Sequence, residues 1–186
     1  MEPITDDLIN QYRIQRETNP RYRGAHLGWQ VVRDIFNAHP SHTDIKDVLT
    51  KTAVLNDLYH THLTAPVQMA THICALPTLT HQIQSGDPAA VMRIADLSMP
   101  RTHDEDIYIF ASKYCFFTRP DTYFIYDPMV KKMISDYLKL SDTEQDRLRQ
   151  YDFFQTQMNR LIQTFRLHCT HRDLDIFLWT RGKERT

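Results

Sequence analysis

Glycine is scarce in this chain, 4 residues in 186, where an average protein carries about 7%. That shortage argues against a Gly-rich nucleotide loop and against an all-β fold built on glycine turns. Cysteine is also sparse. Cys74, Cys115 and Cys169 are far apart, odd in number and form no CxxC pair, so a zinc ribbon or a disulfide framework is not expected and a reducing cytoplasm is the simple setting. Long hydrophobic runs are missing. No stretch approaches the roughly 18 apolar residues of a membrane helix, and the polar, acidic start MEPITDDLIN does not read as a signal peptide. An excess of one charge is missing too: 22 Lys+Arg stand against 23 Asp+Glu, for a net charge of −1. Global charge therefore carries no nucleic-acid signature.

What remains is ordinary globular material, 41% hydrophobic and 24% charged. The length predicts one domain over residues 1–186. Helical periodicity runs through nearly all of it. Trp29, Val32 and Phe36 share a stripe, as do Ile107, Phe110, Tyr114 and Phe117, and Phe154, Met158, Leu161 and Phe165. Thr64 with Pro66, Asp87-Pro88 and Asp127-Pro128 read as helix starts, a polar cap followed by proline. The expectation is an all-α fold of about seven to nine helices with short connections. Tyr123–Tyr126 has strand character but is too brief to build a sheet.

Charge is unevenly spread. Arg13, Arg16, Arg21, Arg23 and Arg33 crowd the first 35 residues. Lys113, Arg119, Lys131 and Lys132 follow between 110 and 135, and the tail RGKERT is again basic. These segments either form one face of a nucleic-acid site or are separate solvated faces.

The most informative stretch is FASKYCFFTRPDTYFIYDPMVKKM, residues 110–133. A lysine, Lys113, sits inside an apolar and aromatic run, where desolvation favours the neutral, nucleophilic amine. Downstream, Asp127 stands at a helix start held by Pro128, where free N–H groups and the helix dipole favour a carboxylate. An amine and an anionic carboxylate suit chemistry at a carbon that develops positive charge, such as the anomeric carbon of a deoxyribose. The alternative is structural: Lys113 snorkels and Asp127 only caps.

This segment resembles the helix-hairpin-helix superfamily of DNA glycosylases, nearest to compact 8-oxoguanine DNA glycosylase-like proteins. Asp127-Pro128-Met129-Val130-Lys131-Lys132 follows that family's order of aspartate, two variable residues, valine and basic residues, and Lys113 falls where its nucleophilic lysine stands. AVLNDLYHTHLTAPVQMATHI, residues 53–73, is similar to the helix, loop and helix that wedge into the DNA gap. DLDIFLWTRGK, residues 173–183, is similar to the family's C-terminal helix. The family's hairpin glycines are replaced by Ile109-Phe110-Ala111-Ser112, and Glu184-Arg185-Thr186 extend past Lys183. Residues 1–40 have no counterpart.

The resemblance implies a base-excising enzyme on double-stranded DNA, acting as a monomer with no metal or organic cofactor. The target nucleotide is flipped into a pocket. Lys113 then attacks C1′, Asp127 stabilises the sugar, and the Schiff base formed permits strand cleavage as an AP lyase. The altered hairpin and tail point to an unusual base. Similar small bacterial proteins accompany anti-phage defences, which implies a modified base in phage DNA such as glucosylated hydroxymethylcytosine; the alternative is repair of 8-oxoguanine. Asn56, Tyr59 and His60 fall in the presumed gap loop. Trp179 and Lys183, on the last helix, suit base stacking and phosphate or base contact, and Arg21 and Arg23, in NPRYRGAH, suit phosphate binding. Each of these also reads as an ordinary loop, core or tail residue. The ten histidines include His60-x-His62, with His72 and His81 downstream, but neither HExxH nor a Cys/His set with ligand spacing occurs. A metal-dependent nuclease and a non-catalytic modified-DNA-binding module are the rival readings.

Overall fold

Proline and polar caps start many of the helices, as local chemistry requires. Asp44 caps one through the backbone N–H groups of Lys46 and Asp47, Thr170 another through Asp173, and Ser141 with Glu144 forms a reciprocal capping box. The computed structural model describes residues 2–185. Among them the fold is all-α, with eleven α-helices and no strand. Cα packing divides the chain into two units, one made of residues up to Arg23 together with the chain from Phe124 onward, the other of Gly24–Tyr123.

The first unit holds α1 (Asp6–Thr18), a 3-10 turn (Pro20–Tyr22), α8 (Pro128–Leu138), α9 (Asp142–Arg147), α10 (Tyr151–Phe165) and α11 (His171–Lys183). Helix α11 packs against both α1 and α8, and α10 packs against α8. Ile9, Val130, Met133, Phe154, Leu161, Leu174 and Phe177 form its buried interior. The last turn of α11 meets the first turn of α8 so closely that only glycine fits at position 182. A Cβ there would lie 2.9 Å from Met129 Cβ and 3.2 Å from the Met129 carbonyl oxygen.

The second unit holds α2 (Arg23–Ala38, after its first residue), α3 (Ile45–Leu58), α4 (Pro66–Ala75), α5 (Leu79–Ser85), α6 (Ala89–Ala95) and α7 (Asp104–Thr118). Helix α7 is its centre. Ile107, Tyr108 and every residue from Phe110 to Phe117 are buried, the mark of a helix covered on all sides. Asp104, Glu105 and Asp106 occupy its first turn, where negative charge complements the dipole.

The structure differs from the sequence reading at several points. It holds more helices than the seven to nine expected, because α5 and α9 are too short for a periodic stripe and α1 is mostly polar. Thr64 does not cap α4. Its hydroxyl donates to the Pro100 carbonyl at 2.6 Å, and Ala65 takes the cap position before Pro66. Tyr123–Tyr126 is buried, but no strand forms there. No helix of the described residues is long and apolar enough to cross a membrane.

Candidate functional site

In the second unit, Lys113 projects from the middle of α7 and is only 8% exposed. Its amine donates to the Tyr59 carbonyl at 3.4 Å and lies 5.4 Å from the centroid of the Tyr59 ring. Tyr59 closes α3, and its ring meets Phe117 edge-on at 5.0 Å. Helix α7 thus delivers Lys113 to the end of α3 and the loop that follows it.

That loop is held in an uncommon shape. His60 and His62 have φ of 46° and 56°, left-handed conformations that cost about 1–2 kcal/mol each for L-residues. Asn56 compensates. Its Oδ1 accepts from the Thr61 hydroxyl and the Leu63 N–H, each at 2.8 Å, and its Nδ2 donates to the Leu63 carbonyl at 3.1 Å. The polar atoms of Asn56 are therefore engaged inside the loop, whereas His60 and His62 are exposed on either side of buried Thr61. Lys113, Tyr59, Asn56 and His60, four of the residues singled out by sequence, lie together here.

A second polar cluster in this unit escaped the sequence reading. Lys51 is 1% exposed and donates to the Ser41 carbonyl at 2.6 Å. Its amine lies 5.3 Å from the Tyr114 ring and 5.7 Å from Phe36. Burial lowers its pKa to about 8, with the charge of Asp47 opposing the shift. His42 shares a 2.9 Å hydrogen bond with the Tyr114 hydroxyl, and burial, aided by the Lys51 charge, lowers its pKa to about 4. A signal existed: Val48, Lys51, Thr52 and Leu55 are spaced i, i+3, i+4, i+7, and all four are buried. A lysine on such a stripe has nowhere to go but the core.

In the first unit, Asp127 caps α8, its Oδ1 accepting the Met129 N–H at 2.8 Å. The extended approach to it is pinned by Tyr151, whose hydroxyl accepts from the Phe124 N–H at 2.8 Å and donates to the Phe124 carbonyl at 2.7 Å. His171 stacks on the Phe124 ring at 3.8 Å. Because α8 and α11 meet at Gly182, the Asp127 cap adjoins the end of the helix that carries Trp179 and Lys183. Lys183 Nζ lies 4.2 Å from the Trp179 ring centroid. Arg21 lies in the 3-10 turn and Arg23 follows it, and both are exposed. Lys113 and Asp127 therefore belong to different units, each with its own set of candidate residues. The described residues contain no group of three or more His, Cys, Asp or Glu that could hold a metal ion.

The comparisons with known proteins speak to family. The chain belongs to the HI_0787_N family, whose N-terminal domain model matches residues 8–122, from α1 to the end of the second unit. It is also 27% identical over 142 residues to an uncharacterized protein of Haemophilus influenzae, a match spanning 76% of this chain and 69% of the relative. No solved structure matches.

Proposed function

We propose that this protein is a DNA glycosylase that removes a modified base, with Lys113 as the amine nucleophile and Asp127 as the carboxylate. The observation that carries the reading is the environment of Lys113. Its amine extends from a buried helix to the main-chain carbonyl and the ring of Tyr59, where the loop that carries His60 and His62 begins. A poorly solvated amine held this way is suited to act as a nucleophile. Asp127, locked as a cap after a pinned segment, supplies a fixed carboxylate.

In the proposed reaction the flipped nucleotide presents C1′ to Lys113. The amine lone pair forms the N–C1′ bond as the glycosidic bond breaks. The departing base takes the bonding pair and a proton, and Asp127 stabilises the positive charge on the sugar. Loss of the amine proton and ring opening give the Schiff base, from which β-elimination releases the 3′ phosphate. The substrate class we favour is a modified base of phage DNA, such as glucosylated hydroxymethylcytosine, as part of anti-phage defence. Repair of 8-oxoguanine is the alternative substrate. Abasic-site formation on duplexes carrying each base, with Lys113→Ala and Asp127→Asn as controls, tests the reading.

One observation favours a second reading. The Lys113 amine is almost covered and already bonded to Tyr59, as a structural lysine would be. A modified-DNA-binding module without chemistry would then bind such duplexes and leave their bases in place.

A further inference from the structure

Helix α2 runs unbroken from Arg23 to Ala38 and buries Val32 and Phe36 on one side. The opposite side carries a stripe at helical spacing, Arg23, Leu27, Val31 and Asp34, all of them exposed. Leu27 and Val31 are 50% and 46% exposed, so two large apolar side chains stand one turn apart in water. Leu58, at the end of α3 and also exposed, widens this apolar ground. Its Cβ is 3.9 Å from where a Cβ on Gly28 would stand. Gly24 leaves the first turn of the helix open, since a Cβ added there would meet nothing within 4 Å. An apolar patch bounded by charge in this way marks an interaction site.

The charges on the stripe identify the occupant. Arg23 opens α2 and Asp34 stands near its end, with no acidic residue in the first turn and no basic residue in the last. That is the reverse of what the helix dipole favours. Among the described residues, neither group has an ion-pair partner. An antiparallel copy of the same helix supplies what both lack. The midpoint between Arg23 and Asp34 falls at the Gly28–Trp29 peptide, and the midpoint between Leu27 and Val31 falls at Trp29. One two-fold axis at this level therefore sets Arg23 opposite Asp34 of the partner subunit, and Leu27 opposite Val31 of the partner subunit, twice each. Each carboxylate is then brought to the positive end of the other helix. We propose that this face of α2 is the self-complementary interface of a homodimer. Asp34 on the same stripe disfavours a nucleic-acid phosphate as the occupant. The dimer departs from the monomer that the glycosylase resemblance implies, and it makes Arg23 a subunit contact in place of a phosphate contact. It does not depend on chemistry at Lys113.

The test is sedimentation velocity of the full chain at loadings from about 1 µM to about 1 mM. One helix face with Leu58 is a small interface, so a dimer of micromolar affinity is expected. Arg23→Glu and Asp34→Arg each set like charges opposite one another twice, and each should weaken self-association at least about tenfold. An equimolar mixture of these two variants restores opposite charges at both contacts and should dimerise like the parent. Leu27→Gln, a milder change at the centre of the exposed face, should also weaken the dimer and keeps the test valid should a charge reversal disturb the helix. A parent that stays monomeric throughout the range overturns the proposal, as does a dimer that none of the three substitutions weakens. A mixture of Arg23→Glu and Asp34→Arg no tighter than either alone overturns the antiparallel pairing. Anisotropy of an unmodified labelled duplex reads the other occupant. A monomeric parent whose DNA binding falls in Arg23→Glu gives the face to DNA and overturns the dimer.

Discussion

The amine of Lys113 donates to the main-chain carbonyl of Tyr59 at 3.4 Å and lies 5.4 Å from the centroid of the Tyr59 ring. The bond is long and the ring is neutral, so the contact orients the amine. A shift of Tyr59 and its loop would change this contact. The same loop presents His60 and His62, so in the proposed enzyme DNA engagement and exposure of the nucleophile are one event.

Asp127 has two separable roles. Asp127→Asn keeps a side-chain oxygen at the cap and is expected to leave thermal stability nearly unchanged while abolishing base excision. Asp127→Ala removes the cap and is expected to lower stability by about 0.5–2 kcal/mol as well. Thermal melts beside an abasic-site assay read both. An Asp127→Asn variant with parental excision makes Asp127 a cap and nothing more.

The Asn56 side chain is predicted to be structural. Asn56→Ala deletes three hydrogen bonds of the His60–His62 loop, and the partly buried groups left behind lose their partner. The expected loss is about 1–3 kcal/mol, with weaker binding of duplex DNA as a consequence of a loosened loop. Urea titration checks the first. An unchanged midpoint shows that the loop does not depend on Asn56.

His42 makes stability pH-dependent. Its pKa moves from 6.5 in the unfolded chain to about 4 in the native protein, because burial and the neighbouring Lys51 disfavour the imidazolium. Between those values the unfolded chain binds the extra proton, so stability is full above about pH 6.5 and falls as pH drops through 4. The loss reaches about 3 kcal/mol at most. Urea midpoints measured from pH 7 down to 4 should fall less steeply in His42→Gln than in the parent. Parallel pH profiles would falsify this assignment.

Much of the helical content was legible because it rests on local rules. Proline after a polar residue marked the starts of α6 and α8, and Asp127 caps as its position required. Asp87 likewise accepts from the Ala89 N–H at 2.9 Å. The stripe Ile107, Phe110, Tyr114 and Phe117 is buried along its length. What local rules do not carry is tertiary. The stripe Val48, Lys51, Thr52 and Leu55 marks position 51 as buried, but it does not announce Tyr114 and Phe36 as neighbours, because they come from α7 and α2. Thr64 reads as a cap, but tertiary partners, Pro100 and Thr102, capture its hydroxyl. Among the candidate site residues, the resemblance put Asn56, Tyr59 and His60 in one loop. It could not show that Asn56 turns inward, since that depends on two left-handed histidines.

Gly182 carries the junction beneath the Asp127 cap. Gly182→Ala places a methyl 2.9 Å from Met129 Cβ, so α8 and α11 must separate. Overpacking of this kind costs about 1–3 kcal/mol. A matching drop in the melting temperature is expected, along with weaker DNA binding from the displaced Trp179 and Lys183. A melt that coincides with the parent's contradicts the packing described.

The central claim is that Lys113 is a nucleophile, and borohydride trapping tests it most directly. The protein is incubated with duplexes carrying 8-oxoguanine or with phage DNA rich in glucosylated hydroxymethylcytosine, and the mixture is then reduced. The account predicts a covalent protein–DNA adduct on the modified phage DNA that disappears in Lys113→Ala. An adduct that survives that substitution, or binding with neither adduct nor abasic sites on any of these DNAs, contradicts it.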